Sequence, residues 1–228
     1  MATYLGLVNK VMTELRKPII TEIDSDYARL VGQKVNQDKE EVEASHPWSA
    51  LRTDITFSTV AGTQDYNLGT SGVGTGGTTN ERSYLVKDMF GRPAFFNKTV
   101  SVLGRVHMQP RELMRADIAW NLASNAIPSL YSIKRAASGI TISLYPKPDA
   151  VYSMQATFVI PQPELTDKTD ILIVPEKPVY LLAAAYAALE RGGGQGTEGE
   201  TLKAMADRAL NDAINFDSEP VEQTMFEC

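Results

Sequence analysis

From Leu130 to Pro163 apolar and polar positions alternate. Ile140, Ile142 and Leu144 alternate with Thr141, Ser143 and Tyr145, and Tyr152, Met154, Ala156, Phe158 and Ile160 with Ser153, Gln155, Thr157 and Val159. A period of two puts each apolar set on one face of a sheet. The stretch predicts three consecutive short strands, a β-meander. Ser138-Gly139 supplies its first turn and Pro146, Pro148 and Asp149 its second. A sheet with one apolar face must be covered, so strands upstream and helices at both ends are expected around it.

Upstream, Tyr4, Leu5, Val8, Val11, Met12 and Leu15 recur at helical spacing behind Thr3, an N-cap residue, and Pro18 ends the pattern. A second helix is predicted from near Ser25, with Tyr27, Val31, Val35 and Val42 on one side, a heavily charged opposite side, and Pro47 as its limit. DITFSTVAGTQDYNL reads as a hairpin, followed by GTSGVGTGGTTNER, whose composition predicts a mobile, projecting loop. Tyr84 to Phe90 and Thr99 to Met108 read as two more strands, and Pro110 with Glu112 opens a helix through Trp120.

Beyond the meander, a long helix is expected from about Val179 to Arg191, ended by Gly192, Gly193 and Gly194. Thr197 and Glu200 then match a capping box, and Leu202, Met205, Ala206, Ala209, Leu210, Ala213 and Ile214 form the stripe of a last helix. The order predicts an α+β fold: a helical bundle from the N- and C-terminal helices with an inserted antiparallel β-sandwich-like domain. Residues 1–53 and 175–216 are assigned to the bundle, 54–174 to the β-rich insertion with one helix near 110–121, and 217–228 to a C-terminal tail.

Composition narrows the function. With 43% hydrophobic residues and 8% aromatics the chain is an ordinary globular one, and a formal charge of −6 argues against a protein whose main task is gripping phosphate backbones. The single cysteine, Cys228, leaves no disulfide or cysteine metal cluster within the chain and fits synthesis in a reducing compartment. No apolar run approaches the ~20 residues that span a bilayer. The N-terminal stretch lacks the order of a secretory signal, so the expectation is a protein made in the cytosol and used there or on a particle assembled there.

Candidate chemistry is sparse. Gly72, Gly74 and Gly77 satisfy G-x-G-x-x-G, as do Gly194, Gly196 and Gly199, but neither set follows a strand and opens a helix, and no P-loop occurs. His46 and His107 lack a second histidine at metal-ligand spacing, and the pairs Glu40 with Glu41 and Asp167 with Asp170 read as solvated surface. No catalytic residue, cofactor or metal is expected, and the chain reads as a non-enzyme. The segment DSEPVEQTMFEC, with Val221, Met225 and Phe226 among acids, reads either as a frayed terminus or as a docking peptide that orders on a partner.

A charged helix ending in HPW, then DITFSTVAGTQDYNL, a variable loop, LYPKPDAVYSMQATFVIPQPELTD, VPEKPVYLLAAAYAALERGG and a last amphipathic helix together resemble the head-to-tail adaptor proteins of short-tailed bacteriophages, also called head-completion or tail-tube A-type proteins. The resemblance rests on order and spacing over most of the chain. It implies a structural virion protein at the head-tail junction, assembled in the bacterial host cytoplasm. It implies a homo-dodecameric ring that joins the capsid portal protein to the tail nozzle protein and forms part of the DNA conduit through which the genome is ejected.

Carried onto this chain, it assigns portal docking to Phe216, Val221, Met225 and Phe226, and nozzle or intersubunit contact to the loop with Gly69, Gly72, Gly74 and Gly77. An acidic subunit suits a conduit that encloses double-stranded DNA without binding its sequence, since weak or repulsive contacts let the genome slide. The alternatives are a nozzle or other ring protein of a phage tail, or a carbohydrate-binding β-sandwich module. The last needs Tyr66, Tyr84, Tyr145 and Tyr152 to point outward, whereas their alternation with polar residues favours core positions for Tyr66 and Tyr152.

Overall fold

The computed structural model describes residues 2–70, 73–87, 91–100, 106–108, 125–191 and 197–218. The chain divides into two compact units, Met1–Ala50 with Gln162–Cys228, and Leu51–Pro161. Among the described residues the first is helical and the second is built of strands, so the fold is of the expected α+β class. No described helix is long and apolar enough to cross a membrane.

In the helical unit, α1 (Tyr4–Glu14) starts where Thr3 accepts a hydrogen bond from the Gly6 amide at 3.2 Å. The same device opens α2 (Asp26–Ser45), through Ser25 and the Ala28 amide. Both N-caps satisfy a donor that the first helical turn leaves unpaired. His46, extended before Pro47, ends α2. The third helix, α3 (Glu176–Arg191), begins earlier than the expected Val179. Pro178 is tolerated in its first turn, because the amide it lacks has no intrahelical partner there. The fourth, α4, spans Thr197–Asp217.

The alanines of α3 let its neighbours approach closely: Ala183, Ala184, Ala185 and Ala187 are buried, and α1, α2 and α4 all pack on this helix. Val31, Val35 and Val42 of α2 are fully buried, as predicted. The charged side of α2 is not wholly solvated, however: Lys39 and Glu43 are buried as well, and Asp38, in register with the valines, is buried on their face. Residues 162–165 lie against Lys39 and Glu43 as a strap. Lys39 Nζ donates to the carbonyls of Gln162 (2.8 Å) and Pro163 (2.6 Å) and lies 3.7 Å from Glu43, which accepts from the Gln162 amide. Asn36 binds Leu165 through both its backbone groups. Further along, Leu172 and Asp170 pair with Ala2 and Tyr4 at the start of α1.

Among the described residues the strand unit is a sandwich of two four-stranded sheets. In one, β8 (Ser153–Val159) is central, paired antiparallel to β1 (Arg52–Ser58) on one side and to β3 (Tyr84–Leu85) and β4 (Phe95–Asn97) on the other. The other runs β2 (Asp65–Asn67), β7 (Gly139–Tyr145), β6 (Leu130–Ala136), β5 (His107–Met108). Pairing is antiparallel except between β5 and β6, which are parallel. Phe57, Tyr66, Phe95 and Tyr131 meet across the core at ring separations of 4.8 to 6.2 Å.

Several expectations change here. Strands β6 and β7 form the predicted hairpin, but β8 leaves it for the opposite sheet, so there is no three-stranded meander. The pair read as a hairpin, β1 and β2, also lies in opposite sheets. Alternation tells which face of a strand is buried, and in a sandwich both sheets bury one face in the same core, so it does not say which sheet a strand joins. Strand β4 falls where no strand is expected, and of the Thr99–Met108 strand only β5 is formed among the described residues, since 99 and 100 lie in a bend. Of the Tyr84–Phe90 strand only β3 is observed. The predicted helix near 110–121 lies outside the described residues.

The glycine-rich stretch does not project where it is described. Thr75 exchanges both backbone hydrogen bonds with Thr56 (2.8 and 2.9 Å) along the free edge of β1. Thr79 is buried, donates its amide to Leu68 and accepts from the Ile140 amide. The stretch therefore closes one side of the sandwich and covers a strand edge that would otherwise template pairing. Glycine is required for so close an approach. A Cβ on Gly69 would lie 1.5 Å from the Ser138 carbonyl oxygen, and one on Gly76, at φ +106°, 2.0 Å from that of Asp54.

Candidate functional site

The apolar stripe of α4 outruns its cover. Leu202, Ala206 and Ala209 are buried, but Ala213 and Ile214 are only half-buried and Phe216, at the end, is 94% exposed. Beside this uncovered turn runs the segment Ile173 to Pro178, which leads into α3, and beneath it lies Trp48. Together they bound a groove of about 560 Å³, with a mainly apolar lining that includes Val174, Pro178, Ala209 and Ala213.

One end of the groove is fixed by Asp217. Its carboxylate accepts from the Ser49 amide (3.0 Å) and the Ser49 hydroxyl, and lies 3.0 Å from His46 Nε2. Burial works against this carboxylate, but the hydrogen bonds from Ser49 and the charge of His46 outweigh it and hold its pKa below the ordinary value. The HPW tripeptide builds the other half of this anchor. The His46 ring meets Trp48 edge-on at 5.0 Å, and Trp48 donates its indole N–H to the Val42 carbonyl at 2.7 Å. His46 is thus a structural contact, and Asp217 is the last residue of α4 instead of the first of a loose tail.

Of the residues singled out for portal docking, Phe216 stands exposed at the groove, while Val221, Met225 and Phe226 lie outside the described residues. Of the loop glycines, Gly69, Gly74 and Gly77 lie along the sandwich side described above, and Gly72 lies outside the described residues. Sequence reasoning missed the Asp217 anchor, whose partners are 168 and 171 positions away. Tyr66 and Tyr152 are core residues, 5% and 9% exposed, so the outward tyrosine platform that a carbohydrate module needs is not formed.

This geometry offers contact surfaces. Comparison with known proteins agrees in kind. No curated protein sequence matches the chain. The model of the family described as SU10 adaptor protein matches residues 2–224, nearly its whole length. That family is one of phage head-tail adaptors, structural and not an enzyme class. The chain belongs to the SU10 adaptor protein family, and its role is that of a structural adaptor between a phage head and its tail.

Proposed function

We propose that the protein is the subunit of a homo-dodecameric ring that joins the capsid portal to the tail nozzle and forms part of the DNA conduit. The match over residues 2–224 carries this reading, since it includes both the helical and the strand unit in one adaptor family. The C-terminal segment docks on the portal, with Phe216, Val221, Met225 and Phe226 as its apolar anchors. The exposure of Phe216 at the end of an anchored helix supports that assignment. The side of the strand unit closed by Gly69 to Gly77 faces a neighbouring subunit or the nozzle. There the closely laid, glycine-rich backbone leaves little side-chain bulk in the way. Double-stranded DNA passes through the ring without being read, which suits a subunit of net charge −6.

The test is native mass spectrometry of the protein mixed with the portal ring encoded in the same genome. Stoichiometric loading is expected, and removal of residues 219–228 is expected to abolish it. An intact portal that takes up none of the folded protein would overturn the reading.

A further inference from the structure

Along β6 the sandwich opens toward the end of the strand. Tyr131, Ile133 and Arg135 alternate onto the side that faces the core, and they pass from buried through half-buried to exposed. Tyr84 and Leu85 of β3, at the edge of the other sheet, line the same cleft of about 500 Å³, as does Lys87. Its polar groups are donors, and no aspartate or glutamate belongs to the described lining. Arg135 donates Nε to the Ser83 carbonyl at 3.4 Å, and neither its charge nor that of Lys87 is taken up by an ion pair among the described residues. Tyr131 is 1% exposed, yet its hydroxyl, like that of Tyr84, binds no described group. Burial raises the pKa of Tyr131, and that of Tyr84 against the charge of Arg52, so both phenols stay protonated and donate.

We propose that this cleft receives an acidic side chain from a partner protein, an aspartate or glutamate set beside an apolar residue. In a chain of net charge −6, two cations and two phenols on a lining without acids make a local site for negative charge. A carboxylate is acceptor-only and meets such donors in charge-assisted hydrogen bonds. It also completes the Tyr131 hydroxyl, a donor on a nearly buried side chain. Leu85, Ile133 and the tyrosine rings need an apolar group against them. A peptide supplies that group next to its carboxylate, whereas a phosphodiester backbone does not, and a DNA duplex is too wide to carry its phosphates down between two sheets. The site belongs to the strand unit and is independent of portal docking by the C-terminal segment.

Methyl NMR of the full-length protein, titrated with the dipeptide acetyl-Leu-Glu-amide, reads the site through the Leu85 and Ile133 methyls. Both are expected to shift and to saturate with a Kd on the order of 1 mM. Acetyl-Leu-Gln-amide, of the same shape without the charge, is expected to bind about tenfold more weakly, and so is the glutamate peptide to Arg135→Gln, a change at an exposed position. Tyr131→Phe keeps the ring in the core and is expected to weaken binding severalfold. Three results would overturn the proposal: no shift at either methyl, equal affinity for the glutamate and glutamine peptides, or shifts produced by a short DNA duplex and not by the peptide. The last would assign the two cations to phosphate.

Discussion

Asp38 carries the least comfortable charge on α2. It is 3% exposed, its Oδ2 has no hydrogen-bond partner, and burial, together with repulsion from Glu41, pushes its pKa up to about 7 against the attraction of Lys34. Tyr186 of α3 also senses this acid. Because the folded pKa lies above the unfolded one, the folded state holds a proton that the unfolded state releases. Stability contributed by the neutral acid is complete below the unfolded value near 3.8 and is lost as pH rises toward 7. Each unit corresponds to about 1.4 kcal/mol, so the loss is on the order of 4 kcal/mol. Asp38→Asn, which cannot ionise, is expected to be more stable than the parent by about 1–3 kcal/mol at pH 8 and to lose that advantage at pH 4. Denaturant unfolding at the two values checks this; a parent and variant with parallel pH profiles would refute it.

Among whole elements, the strap over α2 shows how buried charge can organise a chain crossing. Lys39 and Glu43, one turn apart, bind three backbone groups of residues 162 and 163 between them. Lys39→Ala takes the ammonium away from Glu43 and from two strap carbonyls, all buried, which costs about 3–5 kcal/mol. The double change Lys39→Met with Glu43→Leu removes both charges and is expected to cost clearly less. Equal losses in the two proteins, measured by urea unfolding, would mean that the pair is not what holds the strap. The same element shows where sequence reading succeeds and stops. Val31, Val35 and Val42 announce one buried face of α2 because periodicity reports apolar burial. Lys39 and Glu43 look solvated because nothing local reveals a strap more than 100 residues away. In the sandwich, alternation found β1, β7 and β8 but not their sheets. The glycines of 69 to 77 read as a free loop because composition does not show the strand against which glycine makes room. At the candidate site, the exposed apolar end of α4 was legible as an unburied stripe with Phe216, but the Asp217 anchor was not, since it closes over most of the chain length.

For the molecule as a whole, the end of α4 is where structure and assembly must be told apart. Residues up to Asp217 serve the helical unit, through the carboxylate that binds Ser49 and His46. Two truncations separate the roles. Removing residues 219–228 takes away the docking segment alone and is expected to leave the melting temperature within about 2 °C of the parent's while abolishing portal loading. Removing residues 217–228 also deletes the carboxylate that holds Ser49 and His46. A charge-assisted hydrogen-bond set of this kind contributes about 2 kcal/mol, which in a chain of this size lowers the melting temperature by about 4–8 °C. The difference between the truncations has a pH signature. The Asp217 pKa is depressed in the folded state, so its contribution is present above the ordinary carboxylate value and disappears as pH falls through the folded one. The gap in melting temperature is therefore expected at pH 7 and to close in strong acid. If both truncations melted alike at pH 7, the anchor would have no part in stability. If the shorter truncation still loaded the portal, the docking contacts would have to be sought on Phe216 and the groove instead of the segment beyond.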